Sequence, residues 1–139
     1  MKQGALEPSV KQTVKKAFCW ILNQLENRYK RTPVNWPAVF RFIAVLASQL
    51  KQKGVFNMLL SDGRFVMAYC STNLHWITRK APFGKAKLLD QDVEIDFQQH
   101  TQSDDVVSVI STLPLTGNES WQRIPAGEFV LFDRGVRIL

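Results

Sequence analysis

The sequence predicts an α+β fold built on a mainly antiparallel sheet. Two segments with helical apolar spacing come first, about six segments with strand spacing follow, and the two types never alternate. That segregation disfavours a Rossmann-like or barrel arrangement, which needs strand and helix in turn. The 139 residues suit one domain. At this length a chain buries roughly two-thirds of its unfolded surface, enough for a core without staples.

Residues 1–14 are polar, contain a glycine and a proline, show no period, and are expected to form a flexible tail, with the domain proper over 15–139. From Lys15 the spacing predicts a helix whose stripe is Phe18, Ile21, Leu22, Leu25 and Tyr29. Cys19 lies beside that stripe and is expected in the core, whereas Trp20 falls on the opposite face. The segment Arg31-Thr32-Pro33-Val34-Asn35-Trp36-Pro37 breaks this helix and starts a second, with Asn35 as N-cap and a proline in the first turn. Its stripe is Val39, Phe40, Ile43, Leu46, Ala47 and Leu50, and it ends on Lys51, Lys53 and Gly54.

After Gly54 the period becomes that of strands. Val55–Leu60 and Arg64–Cys70 flank Ser61-Asp62-Gly63, a strong hairpin signal. Both strands are apolar on both faces, the pattern of a sheet covered on two sides. Further strands are expected at Leu74–Arg79, Val93–Phe97, Asp105–Thr112, Glu128–Phe132 and Val136–Leu139, and a loop over Leu113–Gly127.

Composition excludes several functional classes. Hydrophobic residues make up 45% and charged residues 22%, so the chain is neither disordered nor of low complexity. Two cysteines make no disulfide framework, and no Cys/His cluster has zinc spacing. The first residues lack the apolar region of a signal peptide, and no apolar stretch approaches the roughly 18–20 residues that span a bilayer. A cytoplasmic protein without membrane contact is expected. The net charge of +6 is uneven: residues 1–53 hold ten basic side chains against Glu7 and Glu26, whereas residues 54–139 hold eight basic and ten acidic. Such asymmetry marks either an anion-binding surface or solvated helix faces, the commoner case.

The chemistry-bearing residues are few. Cys70, His75 and Asp62 form a thiol triad only if the imidazole lies within hydrogen-bond reach of the thiol; the plainer reading makes Cys70 and His75 structural. Asp90, Asp92, Glu94 and Asp96 share one face of a strand and form either an oxygen-ligand set for Mg²⁺ or Ca²⁺ or a solvated edge. Asp104-Asp105 reads as turn chemistry. Neither the P-loop nor the dinucleotide glycine pattern is present. Lys15, Lys16, Arg28, Lys30, Arg31 and Arg41, with Phe18, Trp20, Tyr29 and Trp36 nearby, suit phosphate contact and base stacking in principle. Most of those aromatics belong to the helix stripes, which argues against a nucleic-acid partner. No cofactor is expected.

Lys16-Ala17-Phe18-Cys19-Trp20 and the run from Gly54 to Trp76, through Asn57-Met58-Leu59-Leu60-Ser61-Asp62-Gly63-Arg64, resemble the C-terminal half of bacterial single-domain class II glutamine amidotransferases of the YafJ type. The resemblance continues through Ala81-Pro82-Phe83-Gly84, Leu88–Phe97 and Pro114–Gln122, and covers residues 16–139. It implies the αββα sandwich of the N-terminal nucleophile hydrolases, of which this chain supplies one helix layer and shares of both sheets. Strands apolar on both faces then have a reason, and Trp20 is expected to face parts of the molecule outside this chain.

The resemblance also implies an activity, hydrolysis of the glutamine side-chain amide with release of ammonia. In that family an N-terminal cysteine attacks the amide with its own α-amino group as base, and an oxyanion hole near an Asn-Gly pair stabilises the intermediate. An arginine holds the substrate carboxylate and an acidic motif its α-amino group. None of these transfers onto this chain. Met1 precedes Lys2, and Lys11-Gln12-Thr13-Val14-Lys15 stands without a carboxylate where the acidic motif is expected. The expectation is a truncated or split amidotransferase with no catalytic, substrate-binding or metal residues of its own, inactive alone. Glutamine is the partner of the intact family, and a second chain or self-association is expected to cover exposed sheet edges. The alternative is a non-catalytic module whose basic helical third contacts an anionic partner.

Overall fold

The computed structural model describes residues 8–32, 35–81, 85–87, 94–96 and 105–139. Helices α1 (Pro8–Arg28) and α2 (Trp36–Lys51) precede strands β1 (Met58–Ser61), β2 (Phe65–Tyr69), β3 (Leu74–Lys80), β4 (Lys85–Lys87), β5 (Glu94–Asp96), β6 (Val106–Ser111), β7 (Gln122–Ile124), β8 (Phe129–Asp133) and β9 (Val136–Arg137). All described pairings are antiparallel. The strands form a four-stranded sheet A in the order β1-β2-β8-β9, a three-stranded sheet B in the order β6-β3-β7, and a separate β4-β5 ribbon. No helix among the described residues is long and apolar enough to cross a membrane.

Side-chain alternation along β2 explains the layering. Phe65, Met67 and Tyr69 point one way and meet Val39, Phe40, Ile43 and Ala47 of α2, with Leu131 of β8. Ala68 and Cys70 point the other way and meet Leu74 of β3, Ile124 of β7, and Val130 and Phe132 of β8. Helices, sheet A and sheet B therefore stack as three layers, with sheet A buried on both faces at its centre. This is the two-helix, two-sheet arrangement expected, with one outer layer of helices.

The ends of α2 follow local chemistry. The Asn35 side chain accepts a hydrogen bond from the Ala38 backbone N–H at 3.2 Å, and Pro37 sits in the first turn, where its missing donor costs nothing. Trp36, Phe40 and Phe65 stack between helix and sheet with ring centroids 5.2–6.4 Å apart. At the hairpin, Asp62 Oδ1 accepts from the Arg64 and Phe65 N–H groups at 3.0 and 2.9 Å. Arg64 then forms a two-pronged ion pair with Asp133, at 2.8 and 3.2 Å, which ties the hairpin to the end of β8.

Several expectations need correcting. Helix α1 begins at Pro8, so residues 8–14 extend the helix expected only from Lys15; a proline in the first turn suits that start. Residues 1–7 lie outside the described part. Cys19 is exposed rather than in the core. Phe18 and Leu22 are also exposed, because α1 buries only Ile21 among its described side chains. The first strand begins at Met58 instead of Val55. The Asn57 side chain accepts the Ser71 and Thr72 N–H groups at 2.8 and 3.2 Å, and the Ser71 hydroxyl accepts the Phe56 N–H at 2.8 Å, so side chains replace a ladder there. The expected loop over Leu113–Gly127 contains β7, and β4 was not anticipated.

Candidate functional site

The described structure disperses the imagined thiol triad. Cys70 is fully buried between the sheets, and its backbone is paired with Gly127 and Glu128. His75 alternates with Leu74 and Trp76 and so projects from the opposite face of β3, where its Nδ1 donates to the Thr112 carbonyl at 3.0 Å. Asp62 sits at the hairpin, at the far end of β2 from Cys70. A thiol without an imidazole beside it has no base to activate it. Cys19 lies in mid-helix and is likewise not an N-terminal group.

The acidic comb falls largely outside the described residues. Asp90, Asp92 and Asp104 are not described, and for Glu94 and Asp96 the backbone register alone is given, opposite Lys87 and Lys85 respectively. Among the described residues no group of three His, Cys, Asp or Glu side chains gathers to hold a metal ion.

A groove of about 580 Å³ opens where α1 passes the C-terminal end of α2. Thr13, Lys16, Ala17 and Trp20 line it from one face of α1, at the spacing that stacks side chains on a helix. Gln49, Leu50 and Lys53 face them, and Gly54, Val55 and Phe56 close the end. Trp20, which the helix stripe left unexplained, is thus a half-buried wall of this groove. Of the segment 11–15, where the resemblance locates an acidic substrate-binding motif, Thr13 lines the groove. Its lining has two lysines and no carboxylate.

A polar cluster that sequence reasoning missed occupies the outer side of sheet B. Arg79 of β3 donates through Nε and Nη2 to Glu119 at 2.7 and 2.6 Å. Thr116, itself buried, donates to the same carboxylate at 2.8 Å and accepts the Trp121 indole N–H at 2.9 Å. The hydrogen bonds from Arg79 hold the Glu119 carboxyl below its ordinary range, against the opposing effect of burial. The pair clamps the 113–121 loop onto β3. Forty residues separate its ends, so no local pattern signals it.

The wider set of basic and aromatic residues is also partly engaged. The Arg28 guanidinium lies 4.5 Å from the Phe42 ring, and Tyr29 and Trp36 pack against the α2 core. Of the four aromatics named for base stacking, only Phe18 is exposed, and Trp20 is half-buried.

Comparison with known proteins gives one consistent answer. A family model described as "Glutamine amidotransferases class-II" matches residues 2–139. The "Putative glutamine amidotransferase YafJ" of Escherichia coli (strain K12) is 63% identical over 139 residues, covering 100% of this chain and 54% of that protein. A protein of the same description from Haemophilus influenzae is 41% identical over 138 residues, covering 99% and 47%. A crystal structure of a "predicted glutamine amidotransferase" from Pseudomonas aeruginosa PA01 superposes with a TM-score of 0.76 at 41% identity, covering 89% of this chain and 49% of the other. The chain thus spans about half the length of the curated relatives it matches, and in the Escherichia coli protein that half is the C-terminal one. By sequence along its whole described length and by shape, the chain belongs to the class II glutamine amidotransferase family.

Proposed function

We propose that this chain is the scaffold half of a glutamine amidotransferase and does not hydrolyse glutamine by itself. The observation that carries this reading is the groove. Glutamine presents a positive α-ammonium, which an anionic partner stabilises, and the groove that Thr13 of the 11–15 segment lines offers Lys16 and Lys53 with no carboxylate. Two cations there raise the cost of seating that ammonium.

The cysteines support the same conclusion. Amide hydrolysis by a thiol needs an accessible nucleophile and a base within about 3 Å. Cys70 is inaccessible between the sheets, and Cys19, on an exposed helix face, is in mid-chain without a free α-amino group. The nucleophile and its base belong to the half of the domain that this chain does not span, and the acidic motif expected at 11–15 is replaced by residues without a carboxylate. Its own role is to supply one helix layer and parts of both sheets.

The test is ammonia release from glutamine by the purified chain. The expected result is no release above the rate of the uncatalysed reaction, and no change with Cys70→Ala. Release that Cys70→Ala abolishes overturns the reading and restores the buried thiol as nucleophile. A second reading, a module that binds an anionic partner, is favoured by Lys16 and Lys53 flanking Trp20 in the same groove. Its signature is a mobility shift with nucleic acid that weakens steeply with salt; absence of such a shift removes the nucleic-acid form of that reading.

A further inference from the structure

Helix α1 exposes Val14, Phe18 and Leu22 at 65, 47 and 41%, in a row spaced four residues apart. They stand beside Ile21, which carries the burial of α1 against the core, yet turn away from it. On α2, by contrast, Val45 alone among the large apolar side chains is exposed. Scattered apolar side chains on a surface need no explanation, but three in line on one helix make a contact surface.

The flank of that row indicates what fits it. Lys15, Cys19, Leu22 and Glu26 follow at intervals of four, three and four residues, which sets them in one line along the helix. All four are exposed, and Glu26 is the one carboxylate of α1. The line is palindromic in charge and position: Lys15 and Glu26 stand equally far from its midpoint, with Cys19 and Leu22 between them. A two-fold axis through that midpoint brings up an antiparallel copy. Lys15 then faces Glu26 of the copy, Glu26 faces its Lys15, and Phe18 of each chain meets Leu22 of the other. A parallel copy sets lysine on lysine and glutamate on glutamate, which the charges oppose.

We infer that the outward face of α1 is a homodimer contact. Two copies of this chain pair antiparallel through Val14, Phe18 and Leu22, with two Lys15–Glu26 ion pairs at the rim. One helix per chain offers less surface than the roughly 1,200–2,000 Å² that stable complexes bury, so the dimer is reversible, with a micromolar dissociation constant. The inference goes beyond the reading of the chain as a scaffold half and does not depend on it. None of these residues lines the groove, and glutamine turnover does not enter the test.

Sedimentation velocity of the full chain across micromolar concentrations is the experiment. The expected result is a concentration-dependent equilibrium between monomer and dimer. Phe18→Lys is expected to raise the dissociation constant about ten-fold or more, by placing a charge in the apolar contact. Its circular dichroism spectrum in dilute solution stays unchanged, because the ring is not buried in the single chain. Lys15→Glu and Glu26→Lys, each alone, set like charges together twice per dimer and are expected to weaken it about three-fold. Both substitutions in one chain restore opposite pairing and return the dissociation constant to the native value. A short bismaleimide is expected to link the two copies through Cys19, with no product after Cys19→Ser, since Cys70 is buried. A chain that stays monomeric throughout the range overturns the inference. So does a dimer indifferent to Phe18→Lys, or one that the bismaleimide fails to link, because the contact then lies elsewhere. A double charge variant no tighter than the single ones overturns the antiparallel pairing and the inference with it.

Discussion

The two helices of this chain are comparable in length and lie in the same layer, yet one is embedded and the other is nearly bare. Helix α2 buries Val39, Phe40, Ile43, Leu46 and Ala47 in 16 residues, whereas α1, with 21 residues, buries Ile21 alone among its described side chains. Val14, Phe18 and Leu22 of α1 remain 41–65% exposed on an apolar stripe that continues past the core. The difference teaches that apolar spacing reports what a helix is built to bury, not what is present to bury it. Helix α2 has sheet A beneath it, while much of the α1 stripe has no neighbour in the described structure.

Substitutions sharpen the contrast. Phe40→Ala removes a ring that packs between Trp36 and Phe65, and is expected to cost about 3–5 kcal/mol by denaturant unfolding. Glu119→Gln, remote from both helices, is expected to cost about 1.5–3 kcal/mol at neutral pH, the range for a partly buried charge-assisted pair. Its pH dependence has a definite sign. The folded carboxyl titrates below its ordinary value of 4.5, so its contribution is complete above that value and is lost as pH falls through the folded pKa. Thermal melts across the acid range are expected to converge for the native chain and the glutamine variant. Tyr69→Phe is expected to raise stability by about 1 kcal/mol, because the Tyr69 hydroxyl is buried without a hydrogen-bond partner among the described residues. Phe18→Ala closes the series, with a change within about 0.5 kcal/mol. A cost for Phe18→Ala equal to that of Phe40→Ala removes the distinction between the helices.

Much of this architecture was legible where the determining chemistry is local. Asn35, Gly54 and the Asp62-Gly63 pair mark the limits of α2 and the β1–β2 hairpin, and the double apolar pattern of β2 indicates a strand between two layers. The misreadings have tertiary causes. Cys19 and Phe18 sit on or beside a correct stripe, and their exposure depends on what lies opposite. In the first two turns of α1 the stripe is carried by Val10 and Val14 alone, at the i, i+4 spacing that leads to Phe18, too few apolar residues to announce a helix among polar neighbours. β7 is three residues long and exists because it pairs with β3. The Arg79–Glu119 clamp joins a strand to a loop that contains no regular spacing. For the site, the residues themselves were informative in a negative way: the absence of carboxylates at 11–15 was visible, but only the fold shows that Lys53 joins Lys16 around Trp20.

The order in which sheet A is assembled has a consequence for synthesis. β2 finds β1 across a short turn, but its other neighbour pairs Tyr69 with Phe129, sixty residues later. At roughly 5–20 residues per second, that partner emerges about 3–12 s after β2. Hairpins close in microseconds, so for nearly all of that interval the apolar pair β1–β2 exists without the strand that completes it. The nascent chain is then most vulnerable to aggregation after the hairpin has formed and before residues 129–133 arrive.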